Sequence, residues 1–395
     1  MPVMQKSENQ STTYDAIGAR EDYSPIITNI DPDLTFFLSN FGTANDAENL
    51  SFNWLTEGLK PPRQNANLEM TDYKTEKVGS VERRSNNCQY FINTGKVSDA
   101  QRQVRKVYTQ QDEFIRQKEI AFKQQARDLE YALVSNSESR TEAGTLPAIT
   151  GGVPYFLSEE VEDVTFTAAS NTGETATDLE LETGDFVYFK TKPGASNKLP
   201  AEISENLAYY IRKDTANPKK FTLYDDLEAA IKGTNGITLS SAGAGCQMVK
   251  NNIVSAGGTA FTEDMINDCM EMCFKRGGNP TLAVMSGRNK RNFSKIVTGG
   301  SEKRRDSKEK KAVNVTDVYE SDFGTVRAQA HRMYGDSRID IMDMSLWDIK
   351  WFARPHEVQN LAKKGSYSEF VLEAWFGLQG TQPKASGSIV GIKRS

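Results

Sequence analysis

The sequence predicts an α+β fold, on three observations. From Ser98 no Pro or Gly occurs until Gly144, and Ser98 with Gln101 three positions on forms a capping-box opening, so Ser98–Ser135 reads as one long helix. The chain on both sides of it reads as strands. From Gly151 to Ala256 the composition shifts to Thr, Ser, Gly and Asn with short β-type runs, which predicts an all-β insert. In the long helix, apolar residues recur at Val104, Val107, Tyr108, Phe114, Ile115, Ala121, Phe122, Leu129 and Leu133, a single narrow stripe at three-to-four spacing. Asp112 precedes Arg116 and Glu119 precedes Lys123 by four residues, the favourable order for pairing along a helix. Such a rod would be about 55 Å long. Its stripe keeps no strict heptad, so the expectation is a spine on which a sheet is laid rather than a coiled coil.

The other elements follow in order. Met1–Thr13 is polar and reads as disordered, and residues 14–38 form an arm of isolated apolar anchors and turn residues that needs a partner surface. From Leu50 to Lys96 the chain reads as extended. Ser51–Trp54 is a short strand with Cys88–Ile92 as its return, and a projecting loop through Lys60, Pro61, Pro62 and Arg63 lies between them. In the insert, Asp185–Phe189, Leu207–Arg212 and Lys220–Tyr224 read as strands, and Gly151-Gly152 and Gly257-Gly258 bracket it with flexible punctuation. A helix spans Glu263–Lys275, opening at Thr262 with Met265, Ile266, Met270 and Phe274 on its apolar side. Asn279–Ser286 reads as a buried strand leading to a helix, and Val318–Val326 as strand, turn and strand.

Composition bounds the function. With 395 residues and 37% hydrophobic content the chain can bury two or three cores, and 26% charged residues make it soluble. A net charge of -5 speaks against a general nucleic-acid or membrane binder, and no stretch reads as a signal peptide or a membrane span. Four cysteines, Cys88, Cys246, Cys269 and Cys273, make no disulfide framework and fit a reducing cytoplasm. There is no phosphate loop, dinucleotide fingerprint, nucleophile elbow or zinc-protease helix. His331 and His356 each lack a second ligand at metal spacing and read as structural or surface residues. Cys269 and Cys273, one turn apart, read as small buried hydrophobes. Glu159, Glu160, Glu162 and Asp163 lack the spacing of a calcium loop and read as a solvated strand edge. No catalytic residue, metal or cofactor is expected.

The arm at Tyr14 to Leu38, the stretch Trp54-x-Thr56-Glu57-x-Leu59-x-x-Pro62 and the long helix resemble the tailed-bacteriophage major capsid proteins. Their fold was first described in a Hong Kong coliphage and is shared with herpesvirus capsid floors. The likeness resumes at Asn279–Ser286, Val318–Val326, Asp340–Pro355 and Leu361–Leu378, and covers about 290 residues, each motif weak alone but specific in order and spacing. It implies a phage major capsid fold: an N-terminal arm (1–45), an extended loop (46–97), a spine helix with the first part of the peripheral domain (98–150), an axial domain (257–317) and peripheral and axial strands with a tail (318–395). The departure is the all-β insertion domain (151–256), whose run from Leu199 to Gly245 resembles a β-module of phage virion proteins and reads as passive bulk or bracing.

The implied function is a shell of pentamers and hexamers of this chain around phage double-stranded DNA, with scaffold, portal and decoration proteins as further partners. It is assembled in the bacterial cytoplasm and resides in the virion, away from membranes. The candidates for contact between subunits are Tyr14, Phe36, Phe37, Trp54, Glu57, Pro61, Pro62 and Arg63, with Phe36, Phe37 and Trp54 expected exposed in a free subunit and covered in the shell. The basic run Lys303, Arg304, Arg305, Lys308, Lys310 and Lys311, diluted by Glu302, Asp306 and Glu309, reads as a solvated loop that on the inner side of a shell would meet DNA phosphates without reading sequence. The alternative is a tail, baseplate or adhesin-type protein whose insert binds a host-surface carbohydrate.

Overall fold

The computed structural model describes residues 35–57, 66, 69–70, 81–104, 112–158, 161–179, 181, 183–192, 197–205, 207–297, 304–306, 311–313, 318–358 and 365–393. The first described elements are helix α1 (Phe36–Asn40), the short strand β1 (Gly42–Thr43) and an antiparallel ribbon of β2 (Ser51–Glu57) and β3 (Val81–Asn87). Then come β4 (Gln89–Ser98), α2 (Asp99–Gln103), α3 (Glu113–Ser135) and α4 (Val153–Phe156). The middle of the chain is β5 (Val161–Thr167), β6 (Thr172–Thr175), β7 (Phe186–Thr191), β8 (Tyr209–Lys213), β9 (Lys220–Tyr224), α5 (Leu227–Lys232) and β10 (Cys246–Val249). The last part is β11 (Ile253–Ser255), α6 (Glu263–Lys275), β12 (Leu282–Met285), α7 (Gly287–Val297), β13 (Arg304–Asp306), β14 (Lys311–Val313), β15 (Val318–Ser321), β16 (Gly324–Ala330), β17 (Arg338–Met342), β18 (Trp347–Glu357), β19 (Tyr367–Gly380) and β20 (Gly387–Val390).

Three cores organise these elements. A four-stranded sheet, β1-β18-β19-β4, turns Phe370, Leu372, Ala374, Phe376 and Leu378 to one side by the two-residue period of β19. Ala374, Phe376 and Leu378 belong to the first core, where they meet Leu129 and Leu133 of α3 together with Phe37, Phe52, Trp54 and Trp347. A six-stranded mixed sheet, β11-β20-β17-β12-β16-β15, builds the second core with Ile266, Cys269 and Met270 of α6 and Phe293 of α7. Strands β5 to β10 close into a barrel, and its strands carry Val164 and Phe166, Val187 and Phe189, Tyr209 and Ile211, Phe221 and Leu223, and Cys246 and Met248 into the third core. Gly173 lacks a side chain there because the Phe221 ring lies 2.5 Å from where its Cβ would stand. The barrel begins and ends on adjacent strands, with Val161 opposite Val249.

The strands Asp185–Phe189, Leu207–Arg212 and Lys220–Tyr224 correspond to β7, β8 and β9, and α6 has the expected bounds, with the Thr262 hydroxyl accepting from the Met265 amide. Other expectations are corrected. The stretch Ser98–Ser135 is not one helix. Ser98 ends β4, paired with Tyr367, and makes no side-chain cap bond; α2 stops at Gln103 because Val104 turns extended. Asp112 caps α3 instead of pairing with Arg116: its carboxylate accepts the Phe114 amide at 3.0 Å and is clasped by Arg102, while Arg116 pairs with Glu113. The 23-residue α3 is therefore about 35 Å long rather than about 55 Å. The return strand of the ribbon is Val81–Asn87, and Cys88 is the junction to β4, which pairs with β19. The acidic stretch lies partly in β5, which is no sheet edge: it pairs with β10 on one side and β6 on the other. Within 151–256 the barrel occupies only the central part. Val153 and Phe156 pack in the first core, and Ile253–Ser255 is a strand of the six-stranded sheet, so the barrel proper is Val161–Val249.

Gly152 sits where α4 abuts the carboxyl end of α3. A Cβ there would lie 2.6 Å from the backbone oxygens of both Ala132 and Leu133, which cannot give way without unwinding the helix end. Gly152→Ala is expected to lower the stability of the isolated subunit by about 1–3 kcal/mol, read as a lower denaturation midpoint at unchanged slope.

Candidate assembly site

Two buried polar groups position the surfaces that this subunit offers. Glu130 on α3 is fully enclosed, and its carboxylate accepts three hydrogen bonds: from the Phe37 amide at 2.8 Å, the Leu38 amide at 2.9 Å and His331 Nε2 at 2.9 Å. The first two are orphan donors at the start of α1, so the spine helix caps a helix 92 residues earlier in sequence. His331 Nδ1 accepts the Met333 amide at 3.2 Å, which places the ring proton on Nε2, facing Glu130. His331 also donates its own amide to the Met285 carbonyl, so α1, α3 and the six-stranded sheet meet at one carboxylate.

Asn86, near the base of the ribbon, is the second. Its Nδ2 donates to the carbonyls of Gly151 at 3.0 Å and Leu378 at 2.6 Å, and its Oδ1 accepts from the Gly151 amide and the Ser139 hydroxyl, both at 2.8 Å. Further along β3, Glu82 pairs with Arg84 at 3.3 Å and with Lys384 of the C-terminal segment at 3.5 Å. Partial burial works to raise the Glu82 pKa, but Lys384 and Arg84 outweigh it and hold the carboxyl below its usual range.

This anchoring decides which side chains stay in solvent. In β2 the two-residue pleat sends Phe52 and Trp54 inward, where Trp54 stacks near Phe52 and Phe156 at 5.9 Å, and sends Leu55 outward, 70% exposed. Leu55 lies opposite Arg83, and the next pair is Glu57 with Val81, itself 53% exposed. The expectation that Phe36, Phe37 and Trp54 are exposed in a free subunit is thus corrected: Phe37 and Trp54 are buried and Phe36 is half-buried in the chain's own first core. Glu57 is exposed, whereas Tyr14, Pro61, Pro62 and Arg63 lie outside the described residues. Arg304, Arg305 and Lys311 sit on the hairpin β13–β14, and Lys303, Lys308 and Lys310 lie outside the described residues.

Residues that pattern-reading passed over form a second surface. An open groove of about 410 Å³ runs along β4, the edge of its sheet, beside α3, lined by Tyr90, Ile92, Asp128 and Tyr131. Ile92 and Tyr131 are more than half exposed. On the outer face of this sheet Tyr90 stacks on Trp375 at 4.0 Å, Phe352 follows at 6.1 Å, and the Tyr90 hydroxyl donates to Glu373 at 2.6 Å. Burial and the Glu373 carboxylate push the Tyr90 phenol up to about 12. Part of the α3 stripe is also in solvent, at Ile115 and Phe122, and so is Phe274, placed on the apolar side of α6 by its spacing. Cys269 and Cys273 are fully enclosed core residues, and His331 is structural.

Large apolar groups at a ribbon, a groove and a sheet face suit contact with protein rather than a small molecule. Over residues 6–393 the chain matches the family described as SU10 major capsid protein. The chain belongs to this family. The structure is similar to that of the cyanophage A-1(L) capsid asymmetric unit, at 10% identity over 97% of this chain and 99% of that one, with a TM-score of 0.56. It is also similar to the capsid of a native GTA particle (11% identity, 96% and 97%, TM-score 0.51) and to a Mycobacterium phage Adephagia chain (12% identity, 95% of each, TM-score 0.50). No sequence among the curated proteins matches it. The α+β phage major capsid fold is therefore the fold of this major capsid protein, a shell-forming structural protein of the virion.

Glu130→Ala leaves the donors of Phe37, Leu38 and His331 without their acceptor and is expected to cost about 3 kcal/mol, read by chemical denaturation of the free subunit. At the far end of the ribbon the sign is set by the lowered Glu82 pKa. Its pairing contributes above the ordinary carboxyl value of 4.5 and is lost as pH falls through the lowered value. Amide exchange at β3, corrected for intrinsic rates, is expected to speed up on acidification in the native capsid protein and to lose that dependence in Glu82→Gln.

Proposed function

We propose that this capsid protein closes into rings of five and six copies that form an icosahedral head around phage DNA, and that the outward face of its ribbon is a principal contact between copies. The family supports the shell. The observation that carries the contact is the two-faced ribbon: Phe52 and Trp54 are sealed into the subunit's own core while Leu55 and Val81 stand in solvent on the opposite face. A single subunit has no use for that face, and a repeated contact between unlike surfaces closes into rings when its rotation allows.

In this reading residues 1–45 are the arm, 46–97 the extended loop carrying the ribbon, 98–150 the spine with the start of the peripheral domain, 151–256 the insertion domain, 257–317 the axial domain and 318–395 the remaining strands and tail. Tyr14, Glu57, Pro61, Pro62 and Arg63 remain contact candidates, joined by Leu55, Val81, Ile92 and Tyr131. Phe36, Phe37 and Trp54 act from beneath by fixing the outer faces. The protein performs no catalysis. It assembles in the bacterial cytoplasm, where scaffold, portal and decoration proteins are its further partners.

Electron microscopy of the protein expressed alone is expected to show shells or free pentamers and hexamers. Leu55→Asp is expected to cut shell yield more than tenfold while moving unfolding by less than about 0.5 kcal/mol, because the side chain is exposed in the subunit. A subunit that stays monomeric or trimeric, even beside its phage-encoded neighbours, would sink the reading.

A further inference from the structure

We infer that helix α7 is a rail for the sugar–phosphate backbone of duplex DNA, with Arg288, Arg291 and Lys295 as the contacting residues. The inference rests on the shell reading only for which duplex is met, the enclosed genome; the surface itself is defined by charge and geometry.

Charge is concentrated here against the balance of the chain. Residues 287–313 hold ten Lys and Arg against three acids, in a protein of net charge -5, and no Asp or Glu occurs in α7. Arg288, Arg291 and Lys295 are spaced by three and four residues, so they share one stripe of the helix, and all three are exposed. None of the three makes an ion pair with a described residue, whereas Arg84, Lys118, Arg338 and Lys384 are all paired. Among the described residues, then, nothing of opposite charge offsets these three.

The opposite side of α7 holds the stripe in place. Phe293 is fully buried in the second core, the Asn289 amide donates to the Asp336 carbonyl at 2.9 Å, and Lys290 turns back to the Ala328 carbonyl at 3.0 Å. From Arg288 to Lys295 the helix carries the stripe over about 10 Å, and phosphates follow one another at about 3.4 Å of axis along each strand of a duplex, so the cations face about three phosphates. An acidic protein surface is the weaker match. None of the exposed large apolar side chains among the described residues lies on α7, so a protein partner would find no apolar centre to bury. The hairpin β13–β14 follows α7 in sequence and adds further basic positions to the same side of the charge balance. Contact of this kind positions a duplex without reading its sequence.

The test uses the full-length protein, dissociated to subunits, and a fluorescent duplex of about 30 base pairs of arbitrary sequence, with anisotropy measured across a salt series. Arg288→Gln, Arg291→Gln and Lys295→Gln combined are expected to weaken binding at least tenfold at low salt and to flatten the slope of log affinity against log salt by about 2.7, that is, three lost phosphate contacts. Arg288→Lys with Arg291→Lys keeps the charges and is expected to keep binding, which separates lost charge from lost folding. Unchanged affinity and slope in the Gln variant would overturn the inference. So would loss of duplex binding only when Lys303, Arg304, Arg305, Lys308, Lys310 and Lys311 are neutralised. Loss of binding to poly-glutamate with duplex binding intact would also overturn it and assign the stripe to an acidic protein. Electron microscopy of the same Gln variant reads the shell separately: intact shells with weakened duplex binding are the expected result.

Discussion

A carboxylate taken out of water must be surrounded by donors, and the fold of this capsid protein depends on how it meets that demand at Glu130. Left unpaired, the buried charge would cost several kcal/mol, more than a marginally stable domain can absorb. Its three donors come from the start of α1, from the adjacent amide and from the end of β16, so none of these parts reaches its final state while the others are undocked. The spine, the last stretch of the arm and the six-stranded sheet are thus bound into one cooperative unit. Asn86 does the same for the ribbon, tying β3 to residue 151 and to β19 with every bond made to neutral groups.

These internal ties explain where the ribbon's solvent-facing apolar groups lie. Once Phe52, Trp54 and Asn86 are held inside, the pleat leaves no choice about where Leu55 and Val81 go. The same parity on β4 and β19 puts Phe91 and Phe376 inside and Tyr90 and Trp375 outside. A subunit built this way has internal cores of its own and still carries apolar surface that water disfavours, a combination suited to a protein that folds first and assembles afterwards.

Local chemistry made some of this legible in the sequence. The helix Glu263–Lys275 was readable because its cap, its acidic first turn and its amphipathic spacing agree, and β7 to β9 because aromatic and β-branched residues cluster in short runs. The end of α2 at Val104 and the start of α3 at Asp112 were not, since no Pro or Gly marks them; the pairing of Ser98 with Tyr367 and the hold of Arg102 on Asp112 are contacts that local sequence does not announce. The ribbon's second strand contains Glu82, Arg83, Arg84, Asn86 and Asn87 and has almost no β signature of its own, so nothing in its residues marks it as the partner of β2. Trp54 illustrates a subtler limit: spacing shows that Trp54 and Leu55 face opposite sides but not which side is the core. Glu130 and His331 are 201 residues apart, and nothing in either neighbourhood points to the other.

The barrel closes on itself at the pair Val161 and Val249, so its first and last strands are hydrogen-bonded neighbours. Paired residues in antiparallel strands have Cα atoms only about 5 Å apart. To the rest of the capsid protein the 89 residues between and including them are therefore a detour that leaves and returns at almost the same point. A chain that lost the detour would need only a tight turn to rejoin, and one that acquired it would not have had to move its spine or its sheets. The third core is in this sense a module, able to come or go without moving the strands and helices of the other two.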